Sequence, residues 1–229
     1  DLSNRKVELI DAGVMSFKIE GRLKYDNYIK NVVSYYRQKI DEAIASRTDC
    51  VRQSWGRSRI EFTPDPKRSF TRRGGEYMLM GKRSGVASFN TPKALGQYVG
   101  SVATVGRREV KIVSRLKLSA GDGLCFIAGD SIIGTNINRV EGNTIEPNRI
   151  DGIRPGMEIY RNYDHCFTQT IERSRTRRTI GVAFDIAITA SEIAITARSE
   201  DGFSCSVTHA INAAEAKNPE QMAATLREQ

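Results

Sequence analysis

Short runs of apolar and polar residues that end at turn residues follow one another through the middle of the chain. The alternating run QYVGSVATV is followed by the turn GRRE and by VKIV, and the runs SAGDGLCFI, SIIGTNINRVEGNTIE and RPGMEIY come next at similar spacing. Alternation with a period of two is typical of strands that bury one face. Residues 96–164 are therefore predicted to form a small antiparallel β-barrel.

The pattern before this region is helix, strand, helix. Ser3 is expected to cap a short helix that stops at Gly13, and the apolar run at residues 14–19 predicts a strand. Asp26 is expected to cap a second helix, whose apolar residues recur at helical spacing: Ile29, Val32, Val33, Tyr36, Ile40, Ala43 and Ile44. This α–β–α order predicts that residues 1–46 are a remnant of an α/β, TIM-like barrel.

The regions on either side of the predicted barrel differ in character. Residues 47–95 mix aromatic residues with arginines, and their prolines exclude a long helix, so this part is predicted to be a connector. Residues 165–229 contain three strand patterns, a hairpin turn at Asp201-Gly202 and a helix start at Asn218, which predicts a small α+β unit. The fold class predicted for the chain is α+β, mainly β.

The net charge is +8, and the excess lies in two clusters, within residues 47–83 and in the RSRTRR segment at residues 173–178. Such clusters suit a polyanion, because each neutralised phosphate releases counterions. A solvated basic face explains them equally well. The aromatic residues between the arginines of the connector either stack on bases or dock the connector onto its neighbours.

Residue types that carry out catalysis are few and scattered. The four cysteines lie far apart, which disfavours a zinc or iron–sulfur site in this chain and is typical of reduced cysteines in a cytoplasmic protein. His165 and Cys166 are neighbours, but on an extended segment their side chains would point to opposite faces. Cys205 and His209 would be roughly 13 Å apart on a strand. We expect no independent active site, no cofactor and no membrane span in this chain.

Residues 13–41, GVMSFKIEGRLKYDNYIKNVVSYYRQKID, resemble the end of the catalytic domain in peptidase family U32, the collagenase-like proteases. FTPDPKRSFTRRGGEYMLMGKRSG and TPKALGQYVGSV resemble the collagenase-associated extension of longer members, with SFTRRGG where an SF-RGFT element is usual. The resemblance implies the C-terminal part of a longer protein, without most of the catalytic barrel and not active alone. The family's cysteine-rich motif, which binds an iron–sulfur cluster in some members, would lie in the missing N-terminal part.

Glu20 and Arg22 flank Gly21 in the KIEGR part of this motif, directly after the predicted strand. Reactive groups of α/β barrels lie where strands end, so the position and the resemblance together imply a catalytic role for both residues. An ion pair or loop anchor at the barrel rim explains the same charges without catalysis. Ile-Glu-Gly-Arg is also an engineered protease site, but its fit within the strand–loop–helix pattern disfavours that interpretation.

The predicted barrel also resembles in pattern the second domain of translation elongation factors, which hints at RNA. Some U32 relatives hydroxylate bases in ribosomal or transfer RNA, so we expect an accessory region that binds RNA for such an enzyme. The arginines predicted to bind it are Arg57, Arg59, Arg68, Arg72, Arg73, Arg175, Arg177 and Arg178. Two alternatives stay open: the substrate-binding part of a protease that acts on collagen-like or other peptides, and an oligomerisation scaffold.

Overall fold

The computed structural model describes residues 2–71, 79, 81, 93–129, 131–212, 214 and 217–228. The chain divides into two compact units. Unit 1 comprises residues 1–51 and 60–176, and unit 2 comprises residues 52–59 and 177–229.

Four α-helices and eleven strands make up the regular structure of the described residues, together with two short 3-10 helices, Ser3–Arg5 and Pro66–Arg68. The helices are α1 (Lys6–Asp11), α2 (Asp26–Ala45), α3 (His165–Arg173) and α4 (Pro219–Glu228). The strands are β1 (Arg57–Arg59), β2 (Gln97–Val105), β3 (Val110–Ser114), β4 (Gly123–Ala128), β5 (Ser131–Glu141), β6 (Thr144–Pro147), β7 (Glu158–Tyr163), β8 (Arg177–Thr179), β9 (Val182–Ile188), β10 (Glu192–Ser199) and β11 (Ser204–Ala210).

Unit 1 is built around a closed barrel of six antiparallel strands, in the order β2-β3-β6-β5-β4-β7. Strand β3 shows why the sequence folds this way, because Val110 and Ile112 are buried while Lys111 and Val113 face solvent. The barrel core is formed by Val99, Val102, Val110, Ile112, Leu118, Leu124, Phe126, Ile137, Ile145, Ile153 and Ile159. Burying each of these side chains stabilises the fold by about 2 kcal/mol. The predicted antiparallel barrel is confirmed.

Helix α2 is fastened to the connector through Asn31, whose side chain is fully buried. Its amide Nδ2 donates to the Asp65 carbonyl (2.8 Å) and to Ser69 Oγ (3.0 Å), while its Oδ1 accepts from the Asp65 amide (2.8 Å). A buried amide must have its hydrogen bonds satisfied, so these contacts fix the path of the connector along the helix.

The first two helices lie where the pattern predicts them, but their starts differ from the prediction. The Ser3 hydroxyl lies 3.1 Å from the Tyr35 hydroxyl and caps no helix. Asp26 is the first residue of α2, and Tyr25 occupies the N-cap without a side-chain hydrogen bond. The predicted stop at Gly13 is observed. Helix α1 ends at Asp11, and Gly13 has a φ of +89°, with which the helix does not continue.

The strand predicted over residues 14–19 is wrong. These residues have no regular secondary structure, so the α–β–α remnant of a TIM-like barrel is not observed. A strand forms only where a neighbour supplies hydrogen bonds, and among the described residues no strand pairs with this segment. The apolar run is consequently not fully buried, and Met15 is 95% exposed.

A buried charge network joins the barrel to α3. Arg161 on β7 contacts Asp164 (2.8 Å) and Asp122 (3.4 Å), and its guanidinium also donates to Gln97 Oε1 (2.7 Å). All three charged residues are at least 90% buried. A buried arginine needs carboxylate partners, and here it has two.

Asp164 connects this network to the helix and to the connector. Its Oδ1 accepts a hydrogen bond from the Phe167 amide (3.0 Å) at the start of α3, and its Oδ2 accepts one from Arg68 Nε (2.7 Å). The Arg68 guanidinium also lies 4.2 Å above the Phe167 ring. Phe62 packs against the same ring, which supports docking as the role of this connector aromatic.

Unit 2 contains the β1–β8 pair, a three-stranded antiparallel sheet in the order β11-β10-β9, and α4. The three predicted strands are observed, with Gly202 at φ +90° in the hairpin turn. Asn218 Oδ1 accepts from the Gln221 amide (3.2 Å) at the predicted helix start. Residues on one face of the sheet are mostly apolar: Val182, Phe184, Ile186, Ile188, Ile193, Ile195 and Val207.

Candidate nucleic-acid interface

Strands β1 and β8 bring together arginines from the two basic clusters of the sequence. They pair antiparallel, with Arg57 opposite Thr179, Ser58 opposite Arg178 and Arg59 opposite Arg177. We call this pair the arginine ribbon. Because opposite residues in an antiparallel pair point to the same side, Arg57, Arg59 and Arg177 share one face of the ribbon, and Arg178 lies on the other.

Arg178 has a structural role in the ribbon. Its Nε donates to the Trp55 carbonyl (2.9 Å), and its guanidinium also donates to Ser54 Oγ (2.9 Å). These bonds hold the segment directly before β1, which carries Trp55, a residue that is 59% exposed. An exposed tryptophan next to arginines is the combination that stacks bases and contacts phosphates.

The guanidinium groups of Arg57, Arg59 and Arg177 are exposed, and none of them has an ion-pair or hydrogen-bond partner among the described residues. Like charges directly opposite each other destabilise a strand pair, yet Arg59 faces Arg177 across the ribbon. An anion above the two guanidinium groups would relieve this repulsion. The face therefore offers three free cations to a polyanion.

Gly56 allows the ribbon to form, because its φ is +78° and an added Cβ would lie 2.8 Å from the Thr179 carbonyl oxygen. The Gly56→Ala substitution is expected to lower the free energy of unfolding of unit 2 by about 2 kcal/mol, through backbone strain and this overlap. Hydrogen exchange of the β1 and β8 amides is expected to accelerate, and this measurement checks the prediction.

The matched control is Gly202→Ala in the same unit. Gly202 has a φ of +90°, but an added Cβ would meet no atom within 4 Å. The control therefore carries only the backbone strain of about 1 kcal/mol and leaves the ribbon paired. Equal exchange rates of the β1 amides in both variants would contradict the role assigned to the Gly56 position.

The other predicted RNA-binding arginines lie elsewhere. Arg68 is held by Asp164 in the buried network of unit 1. Arg175 is exposed, and its backbone amide donates to Glu61 Oε2 (2.8 Å). Arg72 and Arg73 lie outside the described residues. The structure thus brings together four of the eight predicted arginines, and three of these have free guanidinium groups.

Glu20 and Arg22, the predicted catalytic pair, are both exposed and are not joined by an ion pair. Glu20 instead pairs with Lys18 at 3.1 Å, with both side chains largely in solvent. Gly21 lies against α2, where an added Cβ would come within 2.1 Å of Ile29 Cδ1 and displace that side chain. The two charged groups on either side of the glycine are accessible to solvent.

The cysteines do not fit an iron–sulfur cluster. Among the described residues, no three His, Cys, Asp or Glu side chains converge as metal ligands. Cys125 donates from its thiol to the Leu95 carbonyl (3.3 Å), and burial raises its pKa to about 11, which disfavours the thiolate that binds metal.

His165 and Cys166 are the first residues of α3, so the extended segment expected for this pair is wrong. The His165 ring nitrogen Nε2 lies 3.0 Å from Gln169 Nε2 on the next helical turn. The helix start is stabilised by two carboxylates: Asp164 accepts a hydrogen bond from the backbone amide of Phe167, and Asp122 accepts one from the backbone amide of His165.

None of the described helices is both long and apolar enough to cross a bilayer.

A polar cleft of about 370 Å³, which the sequence did not predict, lies on the barrel, and we call it the amide cleft. Its lining residues are Leu124, Gly134, Thr135, Asn136, Asn148, Arg149 and Asn162. The segments TNIN, PNR and RNY carried a signal, because asparagine is depleted in strands and here recurs within or next to three of them.

Comparison with known proteins gives two matches. Residues 2–83 match the model of the family described as Peptidase family U32. The chain is also 32% identical over 231 aligned residues to the 23S rRNA 5-hydroxycytidine C2501 synthase of Escherichia coli (strain K12). That alignment covers 96% of this chain but only 35% of the relative's length. No solved structure matches the chain significantly.

Proposed function

We propose that this chain is an RNA-binding accessory region of a base-modifying enzyme of peptidase family U32, the family whose model matches residues 2–83. The relative whose alignment covers 96% of this chain is named as a 23S rRNA hydroxycytidine synthase. We further propose a hydroxylating reaction on ribosomal or transfer RNA, carried out in the cytoplasm by an active site that lies mostly outside this chain.

The observation that carries the proposal is the free face of the arginine ribbon. Three guanidinium groups point to one side with an exposed tryptophan nearby, and two of them oppose each other without a carboxylate between them. Phosphate groups of RNA supply the missing negative charge and are bound by arginine in bidentate geometry. The net charge of +8 adds long-range attraction to the same ligand.

We also propose that Glu20 and Arg22 take part in catalysis. Their accessibility supports a contact with substrate at the loop, and the family motif supports its importance. Arg175 and the two arginines outside the described residues, Arg72 and Arg73, are further proposed RNA contacts. We assign Arg68 mainly to the fold, because its ion pair with Asp164 occupies the guanidinium.

The test is a fluorescence-anisotropy titration of the full chain with two labelled ligands at 50 and 200 mM salt. One ligand is an RNA segment that spans C2501 of 23S rRNA, and the other is a collagen-like peptide. We expect RNA binding that weakens at least about tenfold between these salt concentrations, because counterions are released from the phosphates. Salt-tolerant peptide binding without RNA binding would instead support a protease that acts on peptides, the second function that the family name suggests.

A further inference from the structure

The amide cleft lies at the meeting point of three barrel strands and the turn that follows β6. Asn136 lies on β5, Asn162 on β7, and Asn148 and Arg149 follow β6 directly. The strand between the two asparagine-bearing strands is β4, and its Gly123 pairs with Asn136. Side chains distant in sequence are thus aimed at one surface site.

Backbone hydrogen bonds hold together the segments that carry these side chains. The backbone amide of Asn148 donates to the backbone carbonyl of Asn136 (2.8 Å), and the backbone amide of Arg149 donates to Thr135 Oγ1 (3.0 Å). The turn after β6 is therefore fixed against β5, and positions of the cleft residues are set before any ligand arrives. Such preorganisation reduces the entropy lost on binding.

Gly123 leaves space between two of the amides. An added Cβ at this position would lie 2.7 Å from Asn162 Oδ1 and 3.5 Å from Asn136 Oδ1. The glycine thus leaves room that any other residue would fill. Among the described residues, no group forms a hydrogen bond with the side-chain amides of Asn136, Asn148 or Asn162, or with the guanidinium of Arg149.

The lining defines the chemistry of the ligand. Each amide offers a donor and an acceptor side by side, the combination that pairs with the edge of a nucleic-acid base. Arg149 is the single charged residue of the lining and suits one phosphate. Leu124 is the single apolar side chain larger than a methyl group, so the cleft offers little to an apolar peptide side chain.

We propose that the amide cleft binds one unpaired nucleotide of the RNA, with its base against Asn136 and Asn162 and its phosphate at Arg149. This inference rests on the proposed RNA-binding function and assigns the base-reading contact to the barrel. The arginine ribbon binds phosphates of any sequence, whereas the cleft distinguishes bases. A volume of about 370 Å³ falls within the range of about 300–1,000 Å³ that small-ligand sites span.

The test uses the full chain and two kinds of probe. The ¹⁵N side-chain amide signals of the asparagines are followed by NMR during titration with AMP, CMP, GMP and UMP. Four pentaribonucleotides of uniform base are then titrated for affinity by anisotropy. We expect the signals of Asn136, Asn148 and Asn162 to shift with at least one nucleotide, while that of Asn138 does not, since it lies on β5 outside the cleft.

Two variants probe the cleft in different ways. Asn136→Ala/Asn162→Ala removes the base contacts, and Gly134→Val fills the cleft from a strand position where an added Cβ meets no atom within 4 Å. Each is expected to weaken binding of the preferred pentanucleotide about tenfold and to remove the difference between the four bases. The control Asn138→Ala changes an exposed asparagine of the same strand and is expected to leave affinity unchanged.

Failure of this inference is distinguishable from failure of the proposed function. If the chain binds the C2501 RNA and both cleft variants bind it with unchanged affinity and base preference, the inference is overturned and RNA binding stands. If the chain binds no RNA, the mononucleotide titrations still decide, because shifts confined to the cleft amides support the site alone. Equal shifts caused by a collagen-like peptide would overturn the nucleotide assignment.

Discussion

The triple variant Arg57→Gln/Arg59→Gln/Arg177→Gln is expected to bind the C2501 RNA segment about 10- to 100-fold more weakly than the native chain at about 0.1 M salt. All three guanidinium groups lie on one face of the arginine ribbon and lack partners among the described residues. Each phosphate contact contributes about 0.7 to 0.9 to the slope of log affinity against log salt. Anisotropy titrations at several salt concentrations should therefore show a slope reduced by about 2.

The triple variant is not expected to be less stable. Glutamine keeps much of the side-chain length, and removal of the like charges of Arg59 and Arg177 relieves their repulsion across the ribbon. Fluorescence of Trp55, the one tryptophan of the chain, reports on unfolding of unit 2. A native unfolding midpoint together with weakened binding separates an effect on affinity from an effect on folding.

A matched control removes the same charge elsewhere. Arg107, Arg108 and Arg115 are exposed arginines of unit 1 that lie outside the ribbon and the amide cleft. Changing these three to glutamine lowers the net charge equally and is expected to weaken binding by less than about threefold. If this control loses as much affinity and slope as the ribbon variant, binding depends on overall charge, and the ribbon has no special role.

The ribbon illustrates which part of the site could be predicted from the sequence. The two basic clusters are visible as runs of arginine, and Arg57, Arg59 and Arg177 are among the predicted contacts. Their pairing across more than a hundred residues was not predictable, because a three-residue strand gives almost no periodic signal. The same limit applies to the amide cleft, whose residues come from separate strands and a turn.

The fold was predictable where local pattern and tertiary structure agree. The predicted barrel strands are all observed, because each run between turn residues has a neighbour to pair with. The run at residues 14–19 is also rich in apolar residues but has no pairing partner among the described residues, so propensity alone predicted the wrong structure. At His165 the helix start depends on Asp122, a carboxylate 43 positions away in the chain.

The charge network was hidden from sequence analysis for a related reason. Asp122, Arg161 and Asp164 are residue types that are mostly exposed, and nothing in their local sequence indicates burial. Only the closed barrel places them together. The arginine is then stabilised by two carboxylates that the folded chain supplies from different elements.

The Asp164→Ala substitution is therefore expected to destabilise unit 1 by about 4 kcal/mol. It leaves the buried Arg161 with Asp122 as its remaining carboxylate, frees Arg68 from its ion pair, and removes the cap at the start of α3. Hydrogen exchange of the α3 and β7 amides measures this loss within unit 1, which Trp55 in unit 2 does not report. We expect these amides to exchange roughly a thousandfold faster where they exchange through unfolding of the unit.

Two further variants identify the cause. Asp164→Asn keeps a good cap for α3 but removes the charge, so it is expected to recover only about 1 kcal/mol of the stability lost with alanine. Glu141→Ala breaks the exposed pair with Arg139, in which both side chains are more than 70% exposed, and should change stability by less than about 1 kcal/mol. If Asp164→Ala costs no more than Glu141→Ala, the network contributes little. Arg68 would then be free to leave Asp164 for RNA, which would return it to the predicted set of phosphate contacts.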